Sequence, residues 1–295
     1  GNTISSNRGY TGFYGIYGYT SRNGGEISKN TILGNTDDGI YLYDVDGTNG
    51  NSVVVANNFV QMVGSSFASG IYISSCNYIN VAYNSVRSFN TNSSTEAFYE
   101  VSCTHVEVFN NIFQNDGGGY AVDVDGYNNY QQNFNNLYTS GATLGIYRSS
   151  SYSNLTDFSN ASNFDTSSVS LLSQFTDSNN VHVEAANLNG AGTPLTYVDE
   201  DYDGNFRDPN TPDIGADEFS VNTNDAALTA LSSPNKPFPS GVNPVYVNLL
   251  NNGLDTLRSV QINWSVNGVA QTSLNWTGAI GTGDQDSVAI GNFNF

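Results

Sequence analysis

Apolar and polar residues alternate in short runs along most of this chain, and each run ends in Gly, Asn, Asp or Ser. Runs of period two predict strands separated by turns, while helical periodicity is nearly absent from residues 1–180. The runs themselves recur. Asn-Thr-Ile at Asn2 and at Asn30, Asn-Phe-Val at Asn58, Asn-Ser-Val at Asn84, Asn-Ile-Phe at Asn111 and Asn-Leu-Tyr at Asn136 step by 28, 28, 26, 27 and 25 residues. Gly-Ile-Tyr recurs in parallel at Gly15, Gly39, Gly70 and Gly145, with Ala97-Phe-Tyr and Ala121-Val-Asp in the two remaining periods. A repeat of about 27 residues predicts stacked units, each burying its apolar face against its neighbours.

One period holds three short strands, placed in the second coil at residues 26–28, 31–33 and 40–43. Three strands in a turn of this length are the dimension of a parallel β-helix. With coils about 4.8 Å apart, about eight coils through Phe219 would make a rod about 40 Å long. Overlaying the periods stacks Ile16, Ile40, Ile71, Phe98, Val122 and Ile146 in one interior column. Ile4, Ile32, Val60, Val86 and Phe113 form another. Each buried side chain contributes about 1.5–3 kcal/mol. The asparagines Asn30, Asn58, Asn84, Asn111 and Asn136 are expected to form a structural ladder at a tight bend. There their amides bond neighbouring coils, at about 1 kcal/mol per hydrogen bond, and tolerate left-handed backbone. Cys76 and Cys103 each precede their ladder asparagine by eight residues, so they should be vertical neighbours, either as a disulfide or as two stacked thiols.

Composition narrows the function. Eight Lys+Arg against 27 Asp+Glu give a net charge of −19, which argues against nucleic-acid and anionic-membrane partners. No apolar run approaches the ~18 residues that span a bilayer. Abundant Asn, Ser, Thr, Gly and Tyr with few Lys point to a secreted or cell-surface β-rich protein. The chain reads as an excerpt of a longer one.

The coils Ile27-Ser-Lys-Asn30-Thr-Ile and Val55-Ala-Asn-Asn58-Phe-Val resemble right-handed parallel β-helix repeat proteins of the pectin-lyase-like superfamily. The ending Asp201-Tyr-Asp-Gly-Asn-Phe-Arg207 with Pro212-Asp-Ile-Gly-Ala-Asp-Glu-Phe219 resembles that of a subset common in secreted Bacteroidetes proteins, often type IX secretion cargo. The resemblance covers residues 1–219 and implies a right-handed helix that carries many functions. Residues 220–224 read as a linker. Beyond them come alternating strands at 226–231, 245–250, 260–266 and 288–295, with a hairpin signal at Val266-Asn-Gly. Asn251-Asn-Gly and Ile262-Asn-Trp-Ser-Val-Asn-Gly268 resemble immunoglobulin-like bacterial adhesion modules, so 225–295 is expected to be an immunoglobulin-like β-sandwich, cut short. Trp264 and Trp276 are expected in its packing.

Four features are candidates for chemistry. Carboxylates at alternate positions followed by a Gly, in Asp199, Asp201 and Asp203 with Asn205 after Gly204, match the first half of a calcium loop, although position twelve is Asn210 in place of Glu. The competing reading is an end cap in which Arg207 pairs with Asp217 or Glu218. Asn35-Thr-Asp37-Asp38-Gly39 resembles a motif of β-helical polygalacturonases, but the Gly-His-Gly and Arg-x-Lys partners are absent and a polar turn is the better reading. A lyase base would come from Arg8, Arg22, Lys29, Arg87 or Arg148, which share no column. Last, Tyr17, Tyr41, Tyr72, Tyr99 and Tyr147 follow the buried column by one residue and should form an outward stripe, interrupted by Asp123. Such a stripe suits glycan rings, or else the tyrosines stack on each other and favour the strands. The expected function is therefore an extracellular, non-catalytic binding or adhesion protein for polysaccharide or cell-surface glycan. The alternatives are a polysaccharide lyase or glycoside hydrolase, and a structural spacer or filament segment of a larger surface protein.

Overall fold

The computed structural model describes residues 1–6, 14–34, 37–176, 182–235 and 237–295. It is nearly all β and divides into two units. The first holds residues 1–183 and 188–219; the second holds 184–187 and 220–295. Arg8 and Asn35 lie outside the described residues.

The first unit is a parallel β-solenoid. Its first sheet stacks Thr3–Ser6, Thr31–Gly34, Phe59–Met62, Ser85–Ser88, Ile112–Asn115 and Asn136–Thr139. The second stacks Ile16–Tyr19, Ile40–Tyr43, Ser69–Ser74, Glu96–Val101, Tyr120–Val124 and Gly145–Tyr147, and ends on the antiparallel strand Ser150–Tyr152. The third stacks Gly25–Ser28, Val53–Ala56, Asn77–Ala82, Thr104–Phe109 and Gln131–Asn133. Five complete coils result in place of the eight expected, about 24 Å along the first sheet. The helix Leu155–Ser162 then closes the stack, capped by Asn154 and burying Phe158 against the core.

Register explains the interior. Ile4, Ile32, Val60, Val86, Phe113 and Leu137 stand in one column. Ile16, Ile40, Ile71, Phe98 and Val122 stand in the facing one, which continues on Gly145 and not on Ile146. The recurrent glycine before this column is a packing requirement. A Cβ on Gly70 would stand 2.2 Å from Val86 Cγ1, and one on Gly39 2.4 Å from Val60 Cγ1.

Each coil bends into the first sheet through a residue in the left-handed region, with φ of 54, 54, 53, 60 and 56° at Lys29, Asn57, Tyr83, Asn110 and Phe134. Only small polar residues and glycine adopt this conformation readily, so lysine, tyrosine and phenylalanine here need outside support. It comes from the next residue. Asn30 receives the Asn2 backbone N–H on Oδ1 and donates its amide to Asn58 Oδ1; Asn58, Asn84 and Asn111 repeat the arrangement. The last rung is Asn135, whose Oδ1 accepts both the Asn111 backbone N–H and the Asn111 amide. Asn136, expected on the ladder, instead faces outward beside Ile112 in register. Cys76 and Cys103 are buried free thiols stacked on each other, the Cys76 N–H reaching Cys103 Sγ at 3.3 Å.

After the helix, the described residues 164–176, 182–183 and 188–219 run back over the outer face of the first sheet as a strap. One outward column of that sheet, Thr31, Phe59, Ser85, Ile112 and Asn136, touches the strap on every coil. Thr31 Oγ1 meets the Tyr202 hydroxyl at 2.6 Å, Phe59 packs on Tyr202, and Ser85 Oγ accepts the Ala216 N–H. Gly215 lies against Ile112, and Asn136 bonds Leu171 and Ser173.

The second unit pairs Ala226–Ser233, Val242–Asn251 and Gln285–Asn294 in one antiparallel sheet and Leu257–Ile262 with Leu274–Ile280 in another. Val247, Leu249, Ile262, Ile280 and Val288 form a core common to both, with Trp264 and Trp276 packed against it. The hairpin Ser265–Val266 and Val269–Ala270 turns through Asn267 and Gly268, both at positive φ. The stretch expected as a linker is bonded to this unit, since Asn222 and Thr223 accept the backbone N–H groups of Leu254 and Asp255.

Candidate functional site: the tyrosine face

The second sheet turns alternate residues outward, and its register sets Tyr17, Tyr41, Tyr72, Tyr99 and Asp123 in one column. Tyr147 is not part of it. The fifth coil is one residue shorter than its motif suggests, so Ile146 pairs with Asp123 and Tyr147 with Val124. Because a strand has period two, this slip carries Tyr147 to the other face, where it packs on the core and meets Phe164 edge-on. A second column, Tyr19 beside Tyr43, lies two residues along the strand.

The rings are stacked in near-parallel pairs. Tyr17 and Tyr41 have centroids 5.3 Å apart at 8°, Tyr19 and Tyr43 5.6 Å at 8°, and Tyr14 closes on Tyr17 and Tyr41 at 5.0 Å. Tyr17 and Tyr19 are 53% and 60% exposed, enough to take a ligand ring. Tyr41, Tyr72 and Tyr99 are half-buried and largely occupied by each other, Tyr72 stacking on Tyr99 at 4.6 Å. Burial and the Tyr72 phenol push Tyr41 up to about 12.

Carboxyl groups border the rings. Asp38, Ser69 and Glu96 are linked across three coils: the Ser69 N–H donates to Asp38 Oδ1 at 2.7 Å, and the Ser69 hydroxyl to Glu96 Oε2 at 3.0 Å. Burial raises Glu96 to about 8 and Asp38 to about 6, against the opposing hydrogen bonds from Ser69. Burial, and then Asp125, raise Asp123 to about 6. Near neutral pH Glu96 is therefore held protonated, buried beneath the face with Ser69 and Asp38. Of the polygalacturonase-like motif, Asp38 and Asp37 lie close enough to Tyr14 to add to the rise that burial gives its pKa, while the motif's first two residues lie outside the described residues.

Four described cations of the coils are engaged by protein partners. Arg22 pairs with Asp44 and Asp46, Lys29 with Glu200, and Arg87 with Asp116 between the rings of Phe89 and Phe175. Arg148 bonds the carbonyls of Asp125 and Gly126.

The expected calcium loop is drawn differently. The Asp201 carboxylate is fully buried and accepts the Asn205 N–H, the Asn205 amide and the Glu218 N–H, all within 3.0 Å. Those bonds and Arg207 outweigh burial and lower its pKa. Asp199 accepts the Arg207 N–H through its backbone carbonyl. Arg207 itself reaches Glu218, Asn57 and the carbonyls of Gly215 and Asp217 from above the Tyr83 ring, the end-cap arrangement. Of the four, Asp203 lies beside His182 and Asp217, one nitrogen or oxygen of each falling within 4.8 Å of the others. His182 carried no signal in sequence, because strap residues far apart in the chain meet there without a repeat to align them.

Among the described residues no helix is long and apolar enough to cross a membrane. Comparison with protein-family models, with curated proteins and with solved structures found no match for this chain.

Proposed function

We propose that this protein is an extracellular or cell-surface binding protein that holds glycans along the tyrosine face of its solenoid. One observation carries the reading: Tyr17, Tyr19, Tyr41 and Tyr43 form a two-by-two array of near-parallel rings, open to solvent at Tyr17 and Tyr19 and with Asp38 near Tyr41. Sugar rings present apolar C–H faces to such aromatics and hydroxyls to the neighbouring acids. On this reading the coils belong to the pectin-lyase-like superfamily, in its secreted Bacteroidetes form exported by type IX secretion. The second unit is an immunoglobulin-like adhesion module. Calcium is part of the proposal only as a bridge to acidic glycans.

A second reading, glycoside hydrolysis, is favoured by the division of labour among the carboxyls. Such enzymes set a protonated acid beside an ionised partner, and Glu96 is held protonated within the electrostatic influence of Asp38 and Asp123. The test is a panel of neutral and acidic polysaccharides, with calcium or with chelator, scored for retention and for new reducing or unsaturated ends. Retention without cleavage supports the binding protein, provided that Tyr17→Ser with Tyr19→Ser abolishes it. Product release that disappears in Glu96→Gln supports the hydrolase.

A further inference from the structure

His182, Asp203 and Asp217 converge on the strap from three separate turns. A ring nitrogen of His182 and one carboxylate oxygen from each acid all lie within 4.8 Å of one another, and His182 Nε2 stands 3.0 Å from Asp203 Oδ2. A tetrahedral zinc ion sets adjacent ligand atoms about 3.3 Å apart, a spacing between the 3.0 Å of this pair and the 4.8 Å limit on all three. The imidazole is oriented by its surroundings, edge-on to Phe59 at 4.7 Å and to Tyr202 at 6.1 Å. Asp203 is 46% exposed at its side chain and leaves the cluster open to solvent on one side.

Asp217 supplies an independent observation. It is 8% exposed, yet among the described residues its carboxylate accepts no hydrogen bond and forms no ion pair. A carboxylate this enclosed is usually bonded to protein donors or to water. Its neighbour Asp201, by contrast, has three protein donors. The Asp217 carboxylate is aimed instead at His182 and Asp203.

We infer that His182, Asp203 and Asp217 form a binding site for a divalent cation of the zinc class. One nitrogen and two carboxylate oxygens suit zinc or manganese. Calcium takes six to eight oxygen ligands and has no use for an imidazole. A bound ion would neutralise Asp217, clip the segment entering at His182 to the turns carrying Asp203 and Asp217, and keep an open coordination position toward solvent.

The full chain, stripped with chelator and titrated with zinc chloride, provides the test. One zinc per chain should bind and raise the melting temperature, with X-ray absorption showing an imidazole among nitrogen and oxygen neighbours. Equal concentrations of calcium should leave the melt unchanged. Asp217→Asn and His182→Gln should each weaken zinc binding by about 10-fold or more while their chelator-treated melts stay close to the parent. Absence of saturable zinc binding by the parent chain would overturn the site, as would undiminished binding in both variants. Displacement of zinc by equimolar calcium would also overturn it. If one variant fails to fold, Asp203→Asn gives the same comparison from the exposed side.

Discussion

Asn84 donates both its backbone N–H and its side-chain amide to a single atom, Asn111 Oδ1, each at 2.9 Å. The same amide also reaches the carbonyls of Val55 and Ala82, and Asn84 Oδ1 in turn accepts both donors of Asn58. One side chain thus serves three coils at the bend where Tyr83 takes φ = 53°. Asn84→Ala is expected to lower stability by about 1–3 kcal/mol, since it strands buried donors and acceptors on both neighbours. Urea denaturation checks this, and an unchanged midpoint would remove the ladder as a source of stability. Asn136→Ala should leave the ladder intact and instead expose residues 169–173 to protease.

The Gly70 column makes a volume prediction. Gly70→Ala places a methyl group 2.2 Å from Val86 Cγ1 and 2.6 Å from the Ala97 carbonyl oxygen. Overpacking of this kind costs about 1–3 kcal/mol. Combining it with Val86→Ala should recover part of that loss, so the double variant should be more stable than the sum of the two single changes predicts. Strict additivity in a double-mutant cycle would contradict the packing account.

Glu96 should make the solenoid more stable in mild acid. Its pKa rises from the ordinary 4.5 to about 8 in the folded chain, mainly through burial. The folded state therefore keeps a proton that the unfolded chain has released. That stabilisation is complete below the unfolded value and is lost as pH climbs to about 8. Asp38, Asp123 and Asp165, raised to about 6, and Asp213, raised to about 7, act in the same direction over narrower windows. Melting temperatures should fall between about pH 5 and pH 8. Glu96→Gln, which can still accept from Ser69, should flatten the upper part of that decline while matching the parent near pH 4. A parent melt that rises toward pH 8 would show that the carboxyl is solvated in the folded protein.

Arg207 joins the strap to the coils through Glu218, Asn57 and Gly215, with its guanidinium 4.1 Å from the Tyr83 ring. Arg207→Met should cost about 3–5 kcal/mol, because Glu218 loses its charge partner and Asn57 its donor. Arg207→Lys should rescue little, as one ammonium cannot fork to both sides. Limited proteolysis should cut within 182–219 while residues 40–139 stay protected. Equal protection of both stretches would mean that the strap is held elsewhere.

How much of this was legible in sequence varies with the source of each contact. Regular stacking was readable, since Ile32, Val60 and Val86 recur at a fixed offset from their asparagines and share a column. The left-handed residues one step earlier could have been found by the same offset, yet Lys29, Tyr83 and Phe134 look nothing like turn residues. The fifth coil misled because letters matched where register did not: Gly145-Ile-Tyr copies the motif, but the hydrogen bond from Ala121 N to Leu144 O shifts the pairing by one. That slip removed Tyr147 from the stripe, while Asn136 left the ladder because the rung is the first asparagine of the Asn135-Asn136 pair. The strap was illegible because its partners are set by the surface it crosses. Nothing local in Asp203 or Asp217 announces His182.

The strap also has a consequence for how such a chain changes over time. A solenoid of independent repeats gains or loses one coil with only neighbouring interfaces affected. Here Leu171, Ser173, Phe175, Tyr202, Gly215 and Ala216 are matched to successive coils through Asn136, Gln114, Arg87, Thr31, Ile112 and Ser85. Deleting one coil would put every later partner about 4.8 Å out of step. The returning chain therefore works as a ruler: it fixes the number of coils, and a duplication that lengthened the tyrosine face would survive only with a matching insertion near the other end of the unit.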